Sequence, residues 1–208
     1  MTVTSFVSGP ISTNAIVISS NGEAVIVDPA PGSAERIVEH VKELKVLSII
    51  LTHTHWDHIG DCAEIKEKLN VPVFVHKEDA GNLVEPGVDG LPMFAPIRAV
   101  KPDGFLEDGQ KIMVGGLTLV VMHTPGHAPG HCSFYCETEK FLVSGDHVFR
   151  GSIGNLGLPT GEPDRMWDSI DRVAKLPPDT VIYPGHGEMT TIGAENWLSR
   201  AKEIFGGE

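Results

Sequence analysis

The sequence predicts an α/β fold in which two β-sheets pack face to face and helices cover their outer faces, an α/β/β/α arrangement. Two observations favour it. Both halves of the 208-residue chain consist of apolar strand patterns followed by helical ones. Some strands, such as VLSIILT (46–52), are continuously apolar and therefore need cover on both faces. Two packed sheets with helices outside them meet that need.

The first half alternates strand and helix patterns. The runs NAIVISS (14–20) and EAVIVD (23–28) flank Asn21-Gly22, a strong hairpin signal. After strand 46–52 we expect a helix over about 59–69. Before strand 46–52, Ser33 is expected to cap a helix whose apolar positions recur at helical spacing. The remaining features are the strand VPVFV (71–75) and the apolar helix positions Ile37, Val38, Val41 and Leu44.

The second half follows a similar order. An irregular segment over residues 77–97, rich in Gly and Pro, separates it from the first half and is a candidate lid over a site. Helices are expected over 163–176 and 191–205, and residues 1–208 are expected to form one domain. Strand patterns occur at 111–114, 117–123, 131–136, 140–146 and in TVIYPGHG (180–187).

Composition and charge exclude several classes of protein. A chain with 41% hydrophobic and 21% charged residues has the balance of a globular protein. A net charge of −12 argues against a nucleic-acid partner. No apolar run reaches the roughly 18 residues of a membrane span, and the N-terminus does not resemble a signal peptide. Three cysteines without a CxxC motif fit a reducing compartment, so we expect a cytoplasmic protein.

The densest chemical signal is the hexapeptide HTHWDH, which directly follows the apolar run at 46–52. Strand alternation would place His53 and His55 on one side. The following turn would direct Asp57 and His58 to a second point nearby. Imidazole and carboxylate ligands suit zinc, iron and related metals, so the hexapeptide predicts a metal site.

Other metal-binding residue types also follow strand patterns. His123, His127 and His131 lie in HTPGHAPGH, Asp146 ends FLVSGD, and His186 ends VIYPGH. Side chains on loops at strand ends are held by a rigid sheet, which is a common setting for active sites. Spacing alone does not decide which of His123, His127 and His131 binds a metal.

The motifs THTHWDH, TPGH, SGD and YPGHG, in this order, resemble the metallo-β-lactamase-fold superfamily over about residues 14–200. FLVSGDHVFRGSIGN and LPPDTVIYPGHGEMTTIGAEN are most similar to its glyoxalase II (hydroxyacylglutathione hydrolase) branch. The resemblance implies a four-layer αββα sandwich of two mixed β-sheets with metals at one sheet edge. We expect the chain to lack the C-terminal helical domain of full-length glyoxalase II enzymes.

The resemblance also implies a ligand set for two divalent metal ions. We expect zinc, and the bridging carboxylate suits iron or manganese as well. Asp57 and Asp146 would act in catalysis together with a metal-bridging hydroxide, formed because two cations lower the pKa of a shared water. The first metal would be held by His53, His55 and His127, the second by Asp57, His58 and His186, and Asp146 would bridge them.

The implied activity is hydrolysis of a small-molecule thioester, whose thiolate is a good leaving group. Phe149, Arg150 and Asn155 are the expected substrate contacts. The positions of the family's glutathione contacts carry Asn155, Gly157 and Glu188 here, which predicts weak glutathione recognition. His123 and His131 are candidates for supporting a ligand through a hydrogen bond. Four other residues are expected to have no catalytic role: His40, His76, His147 and Trp56.

Three alternatives to a thioesterase remain open. The first is a mononuclear iron oxygenase similar to the persulfide dioxygenases, which share this ligand set. That branch tends to carry Arg where Asn155 stands and YPAHD where this chain has YPGHG. The second is a metal-binding module without catalysis, and the third is a hydrolase of phosphoesters or lactones.

Overall fold

The computed structural model describes residues 1–94 and 96–206. Residue 95, within the predicted segment 77–97, and residues 207 and 208, within the predicted domain 1–208, lie outside the described residues. The first sheet has six strands in the spatial order β1-β2-β3-β4-β5-β6. The first three strands pair antiparallel and the last four pair parallel. They are β1 (Thr2–Ser8), β2 (Thr13–Ser20), β3 (Glu23–Val27), β4 (Lys45–Ile50), β5 (Val73–His76) and β6 (Gly104–Leu106).

The second sheet also has six strands, in the order β14-β13-β10-β9-β8-β7. All its pairings are antiparallel except that between β10 and β13. Its strands are β7 (Lys111–Val114), β8 (Leu117–His123), β9 (Cys132–Cys136), β10 (Phe141–Gly145), β13 (Val181–Pro184) and β14 (Thr190–Thr191). The short strands β11 (Val148–Phe149) and β12 (Ser152–Ile153) form a separate hairpin.

Within residues 1–94 and 96–206, six α-helices join and cover these sheets. They are α1 (Ala34–His40), α2 (Trp56–Ile59), α3 (Cys62–Leu69), α4 (Ala80–Val84), α5 (Pro163–Val173) and α6 (Ala201–Phe205). Among the described residues, no helix has the length and apolar character that a membrane crossing requires.

Three buried clusters define the layers. In β2, Ile16 and Ile18 face the second sheet, whereas Ala15 and Val17 face the cluster under α1 and α3. This alternation follows from the two-residue period of a strand. A third cluster lies between the second sheet and the helices α5 and α6. Each fully buried Ile stabilises the fold by about 1.5–3 kcal/mol relative to an exposed one. The predicted four-layer αββα sandwich of two mixed sheets is confirmed.

The predicted hairpin is also confirmed. β2 and β3 pair from Ser20 opposite Glu23, so that Asn21 and Gly22 form a two-residue turn. Both turn residues have positive φ, 45° and 80°, as a type I′ turn requires. Cys132 and Cys136 lie on one face of β9, both in the cluster between the sheets, as their spacing predicts.

Several predicted elements need correction. The helix expected over 191–205 is wrong: β14 is followed by two 3₁₀ turns and only the five-residue α6. The side chain of Glu195 is the cause, because it accepts hydrogen bonds from the backbone of Gly151 and the side chains of Thr190 and Trp197. A continuous helix over this segment would lose these hydrogen bonds, so the segment adopts a different conformation.

Three other predicted helices also differ from the structure. The helix expected over 59–69 is divided into α2 and α3, and α5 ends three residues before 176. Ser33 stands at the N-cap of α1, but its side chain makes no capping hydrogen bond. Instead, Asp61 accepts a hydrogen bond of 2.7 Å from the backbone N–H of Ala34, so a residue distant in sequence caps the helix.

Candidate metal centre

Strand ends from both sheets meet at one edge of the sandwich and place the predicted ligands there. The loop after β4 and the short helix α2 carry His53, His55, Asp57 and His58. The other three ligands come from the second sheet. His127 follows β8, Asp146 follows β10, and His186 follows β13.

The seven residues form two groups joined by one carboxylate. Ligand atoms of His53, His55 and His127 lie within 4.8 Å of one another, and those of Asp57, His58 and His186 do so as well. The distances from Asp146 are 3.3 Å between Oδ1 and His58 Nε2, 3.4 Å between Oδ2 and His127 Nε2, and 3.4 Å between Oδ2 and His186 Nε2. Asp146 therefore lies between the two groups.

Unpartnered buried atoms show that this centre fits metal ions. His53, His58 and His127 each bury an Nε2 without a hydrogen-bond partner among the described residues, and Asp146 does so with Oδ1. Leaving a buried polar atom unpaired costs about 1–3 kcal/mol. Imidazole nitrogens and carboxylate oxygens are ligands that zinc, iron and manganese accept, so cations at this point would satisfy all four atoms.

Hydrogen bonds from outside the ligand set orient the imidazoles. The Asp28 carboxylate lies 2.9 Å from Nδ1 of His58, so that Nε2 of this ring is directed to the site. Nδ1 of His127 donates to the backbone carbonyl of Asn155 at 2.9 Å. Nε2 of His55 is 2.9 Å from the Thr160 hydroxyl, which leaves Nδ1 of this ring for a metal.

Three residues that orient the ligands, Asp28, Thr13 and Thr160, were missed by the sequence analysis. Asp28 ends the apolar run EAVIVD and directly follows β3, so it shares the strand-end position of the predicted ligands. That position is a signal that could have identified it. Thr13 donates a hydrogen bond of 2.7 Å to Oδ2 of Asp57 across a sequence separation of 44 residues, and no local motif marks it.

The electrostatics differ between the two groups. Burial lowers the pKa of His53 well below its usual value and that of His55 to about 3, so both imidazoles are neutral and can bind a cation. Burial acts in the same direction on His186, but the carboxylates of Asp146 and Asp57 outweigh it and raise its pKa to about 9. A cation in the second group would replace that proton, so metal binding should release protons.

The three predicted substrate contacts differ in their positions relative to the ligand groups. The ring of Phe149 lies 6.0 Å from that of His186, edge to face. The guanidinium of Arg150 contacts the carboxylate of Glu188, and its side chain is 65% exposed. The side chain of Asn155 accepts a hydrogen bond from the backbone N–H of Gly157 and therefore turns into its own loop.

The remaining histidines are placed differently from one another. Nε2 of His131 accepts a hydrogen bond of 3.1 Å from the backbone N–H of Asp146, so His131 supports the central carboxylate. His123 instead stacks on His76 and donates to the carbonyl of Pro129. His147 is fully buried outside both ligand groups.

The segment predicted as irregular at 77–97 contains α4 and borders the centre. The side chain of Asn82 donates to the backbone carbonyl of Thr54, between two of the ligand histidines. A cavity of about 200 Å³ lies between this segment and the centre, lined in part by His55 and Thr160. Trp56 packs edge to face on Phe94 of this segment, with ring centroids 5.5 Å apart, so it has a packing contact.

Curated relatives of this chain span nearly its whole length. It is 38% identical to an uncharacterised protein of Aquifex aeolicus, with 96% of this chain and 94% of the relative covered. A probable metallo-hydrolase of Bacillus subtilis, YqgX, is 35% identical with 90% of each covered. A hydroxyacylglutathione hydrolase, GloC, of Haemophilus influenzae is 32% identical, with 83% of this chain and 84% of the relative covered.

Solved structures are also similar to this chain over nearly its whole length. The chain matches the BLEG-1 B3 metallo-β-lactamase with a TM-score of 0.88 and 36% identity, covering 95% of this chain and 100% of that one. It matches TTHA1623, solved in a di-iron-bound form, with a TM-score of 0.78 and 35% identity, covering 95% and 98%. ETHE1 from Myxococcus xanthus shares the fold at a TM-score of 0.79 and 23% identity, covering 98% and 85%.

The sequence-wide comparison agrees with the ligand geometry. A family profile described as the metallo-beta-lactamase superfamily matches residues 8–186, a range that contains all seven clustered His and Asp residues. This chain, with its αββα sandwich and paired ligand groups at one sheet edge, is a member of the metallo-β-lactamase superfamily.

Proposed function

We propose that the protein is a dinuclear metal-dependent hydrolase of small-molecule thioesters. The observation that carries this proposal is the pair of ligand groups joined by Asp146, because a single metal would leave one group without a cation. Each group supplies three candidate ligands beside the Asp146 carboxylate, and two bound cations would supply an activated water for hydrolysis.

In this proposal each residue has a defined task. The metal ions, when bound, polarise the substrate carbonyl and lower the pKa of a water. His53, His55 and His127 would hold one of them, and Asp57, His58 and His186 would hold the other. The Asp146 carboxylate, which lies between the two groups, would be a ligand to both. Thr13 and Asp28 keep Asp57 and His58 in position through hydrogen bonds of 2.7 and 2.9 Å.

Several features support a thioester as the substrate. The relative GloC is described as a hydroxyacylglutathione hydrolase. A thioester needs no protein nucleophile, and the three cysteines of this chain are all buried and unpaired.

The unpaired state of these thiols also fits the cytoplasmic location that we propose. We further propose that residues 1–208 form one domain, which the two sheets build jointly.

Glutathione itself is expected to bind weakly. The only predicted cationic contact, Arg150, already contacts Glu188, so it meets a substrate carboxylate with its charge partly balanced. Leaving a substrate charge unmatched lowers affinity, at about 1.4 kcal/mol per tenfold. We expect S-lactoylglutathione to be hydrolysed with a high KM, and simpler thioesters to compete well.

Other activities remain alternatives. A mononuclear iron dioxygenase would use one ligand group and take up oxygen, and the ETHE1 likeness, at 23% identity, concerns the fold alone. The likeness to a B3 metallo-β-lactamase makes a β-lactam a necessary member of any substrate panel. The di-iron form of TTHA1623 makes iron a real alternative to zinc.

The test is elemental analysis of the native protein, followed by assays on thioesters with and without glutathione, a β-lactam, a lactone and a phosphoester. We expect two metal ions per chain and fastest turnover on thioesters. One ion per chain with oxygen consumption on a persulfide would replace the proposal by the dioxygenase. Metal binding without turnover of any substrate would identify a binding module.

A further inference from the structure

We propose that His76, Glu78 and His123 form a separate metal site, which binds a first-row divalent cation such as Zn²⁺ and joins the two β-sheets. One ligand atom from each of the three lies within 4.8 Å of the others. None of them belongs to the two groups around Asp146. Tetrahedral Zn²⁺ with bonds of 2.0–2.1 Å separates its ligand atoms by about 3.3 Å, so the separations within the cluster need to shorten by at most about 1.5 Å.

The two histidines come from different sheets. His76 is the last residue of β5 in the first sheet, and His123 is the last residue of β8 in the second. Their rings stack with centroids 4.0 Å apart and planes inclined by 19°. A cation at the edge of this stack would therefore connect the two sheets directly, at the end of the sandwich from which the loop to His127 begins.

His123 is already held as a metal-binding histidine is. Its Nε2 donates to the backbone carbonyl of Pro129 at 2.9 Å, so Nδ1 keeps a lone pair available for a cation. Metal-binding histidines commonly have this second hydrogen bond, which fixes the orientation of the ring. The backbone N–H of His123 also donates to Asp108 at 2.8 Å, which holds the main chain in place.

A tight turn after β5 brings the third ligand beside the first. The backbone N–H of Asp79 donates to the carbonyl of His76 at 3.1 Å, and Glu78 lies within this turn. Burial and the neighbouring His123 lower the pKa of His76, so the imidazole is neutral near pH 7 and can bind a cation.

Two nearby arginines have carboxylate partners outside the proposed site. Arg165 contacts Glu78 at 3.1 Å, but it also contacts Glu162 at 2.7 Å and would keep that partner if Glu78 turned to a cation. Arg172 is paired with Asp108 at 2.7 Å. The side chain of Glu78 is 36% exposed and can rotate, so a small movement would complete a three-ligand site with water as the fourth ligand.

The experiment counts zinc ions per chain by equilibrium dialysis against micromolar Zn²⁺ and elemental analysis. Wild type is compared with His123→Ala and Glu78→Gln, both at side chains that are at least partly exposed. His40→Ala is the matched control, since His40 is an exposed histidine on α1, outside the proposed site. The difference between proteins is the readout, so it does not depend on how many ions the Asp146 centre holds.

We expect wild type and His40→Ala to bind one more zinc ion than His123→Ala and Glu78→Gln. At zinc concentrations about 100-fold above the dissociation constant, the extra ion should raise Tm by about 5–10 °C in wild type and in the control only. Equal zinc counts in wild type, His123→Ala and Glu78→Gln would overturn the proposal, and so would loss of an ion in His40→Ala.

Discussion

Two buried aspartates near the metal centre are in contrasting environments. The carboxylate of Asp28 accepts hydrogen bonds of 2.7 and 2.5 Å from the backbone N–H and hydroxyl of Thr52, and it also contacts His58. Asp79 accepts a hydrogen bond of 2.7 Å from the backbone N–H of Gly130, but its Oδ2 is buried without a partner among the described residues. Asp28 is therefore part of a satisfied network, whereas Asp79 lacks a donor for one oxygen.

Asp79 should make stability depend on pH. Burial raises the pKa of its carboxyl to about 7 from the ordinary value of 3.8. The protonated Asp79 carboxyl therefore contributes fully to the free energy of unfolding below about pH 4, and this contribution is lost as the pH rises through 7. In wild type, the free energy of unfolding should fall by an amount on the order of 2 kcal/mol between pH 5 and pH 9 because of Asp79. The variant Asp79→Asn has a neutral side chain at both pH values and should not show this fall. Urea unfolding at both pH values measures this, and an unchanged pH dependence in the variant would contradict it.

His186 should be essential for turnover but not for folding. His186→Ala removes one ligand of the second group and is expected to lower thioester hydrolysis at least about 100-fold. Asp57→Ala should have a similar effect, because it removes another ligand of the same group. The sheets supply the core, so circular dichroism should show a folded protein. His40→Ala, far from the centre, should keep wild-type rates, and near-wild-type turnover in His186→Ala would exclude the two-metal mechanism.

At the scale of elements, Gly185, which directly follows β13, has no space for a larger side chain. A Cβ on Gly185 would lie 2.2 Å from Oδ1 of Asp146 and 2.8 Å from Cε1 of His58. Gly81, in α4, has open space at the same point and an ordinary helical conformation. The two glycines thus form a matched pair: a Cβ would meet ligand side chains at Gly185 and open space at Gly81.

Gly185→Ala should therefore displace the Asp146 carboxylate and weaken metal binding at least about tenfold, because overpacking costs about 1–3 kcal/mol. Gly81→Ala should bind metal as wild type does and gain about 0.5–1 kcal/mol of stability from the helix. Metal titration and thermal unfolding of both variants measure this. Equal metal affinity in Gly185→Ala and wild type would show that the site adapts to the added methyl group.

The elements that sequence analysis predicted correctly are those with strong local signals. The hairpin around Asn21-Gly22 and the continuous apolar run of β4 show their structure in a few adjacent residues. β1 was not predicted, because it is an edge strand in which Phe6 alone is buried, so its apolar pattern is weak. The helix predicted at 191–205 fails since contacts of Glu195 with distant residues override its helical spacing.

The same distinction applies to the centre. All seven predicted ligands lie in short motifs at strand ends, and the structure brings them together. Asp28 and Thr13 act across separations of 30 and 44 residues, which only the folded arrangement defines. The ion pair between Arg150 and Glu188 also joins residues 38 positions apart, and no sequence pattern predicted it.

At the scale of the whole molecule, charge should govern which thioesters reach the centre. The chain carries 28 acidic and 16 basic side chains, a net charge of −12. A field of this sign repels anionic substrates over distances of about a Debye length, which is about 10 Å at 0.1 M salt. S-lactoylglutathione, with two carboxylates and one ammonium group, is such a substrate, whereas an N-acetylcysteamine thioester is neutral.

Added salt should therefore raise kcat/KM for the anionic substrate but not for the neutral one. Raising ionic strength from about 0.01 to 0.3 M screens the repulsion, so kcat/KM for S-lactoylglutathione should rise about twofold or more, chiefly through KM. The neutral N-acetylcysteamine thioester should change little, and it controls for effects of salt on the enzyme itself. Steady-state kinetics on both substrates across this range measures the difference. A fall in kcat/KM for S-lactoylglutathione would mean that a local cationic surface, with Arg150 as its first candidate, attracts the substrate despite the net charge.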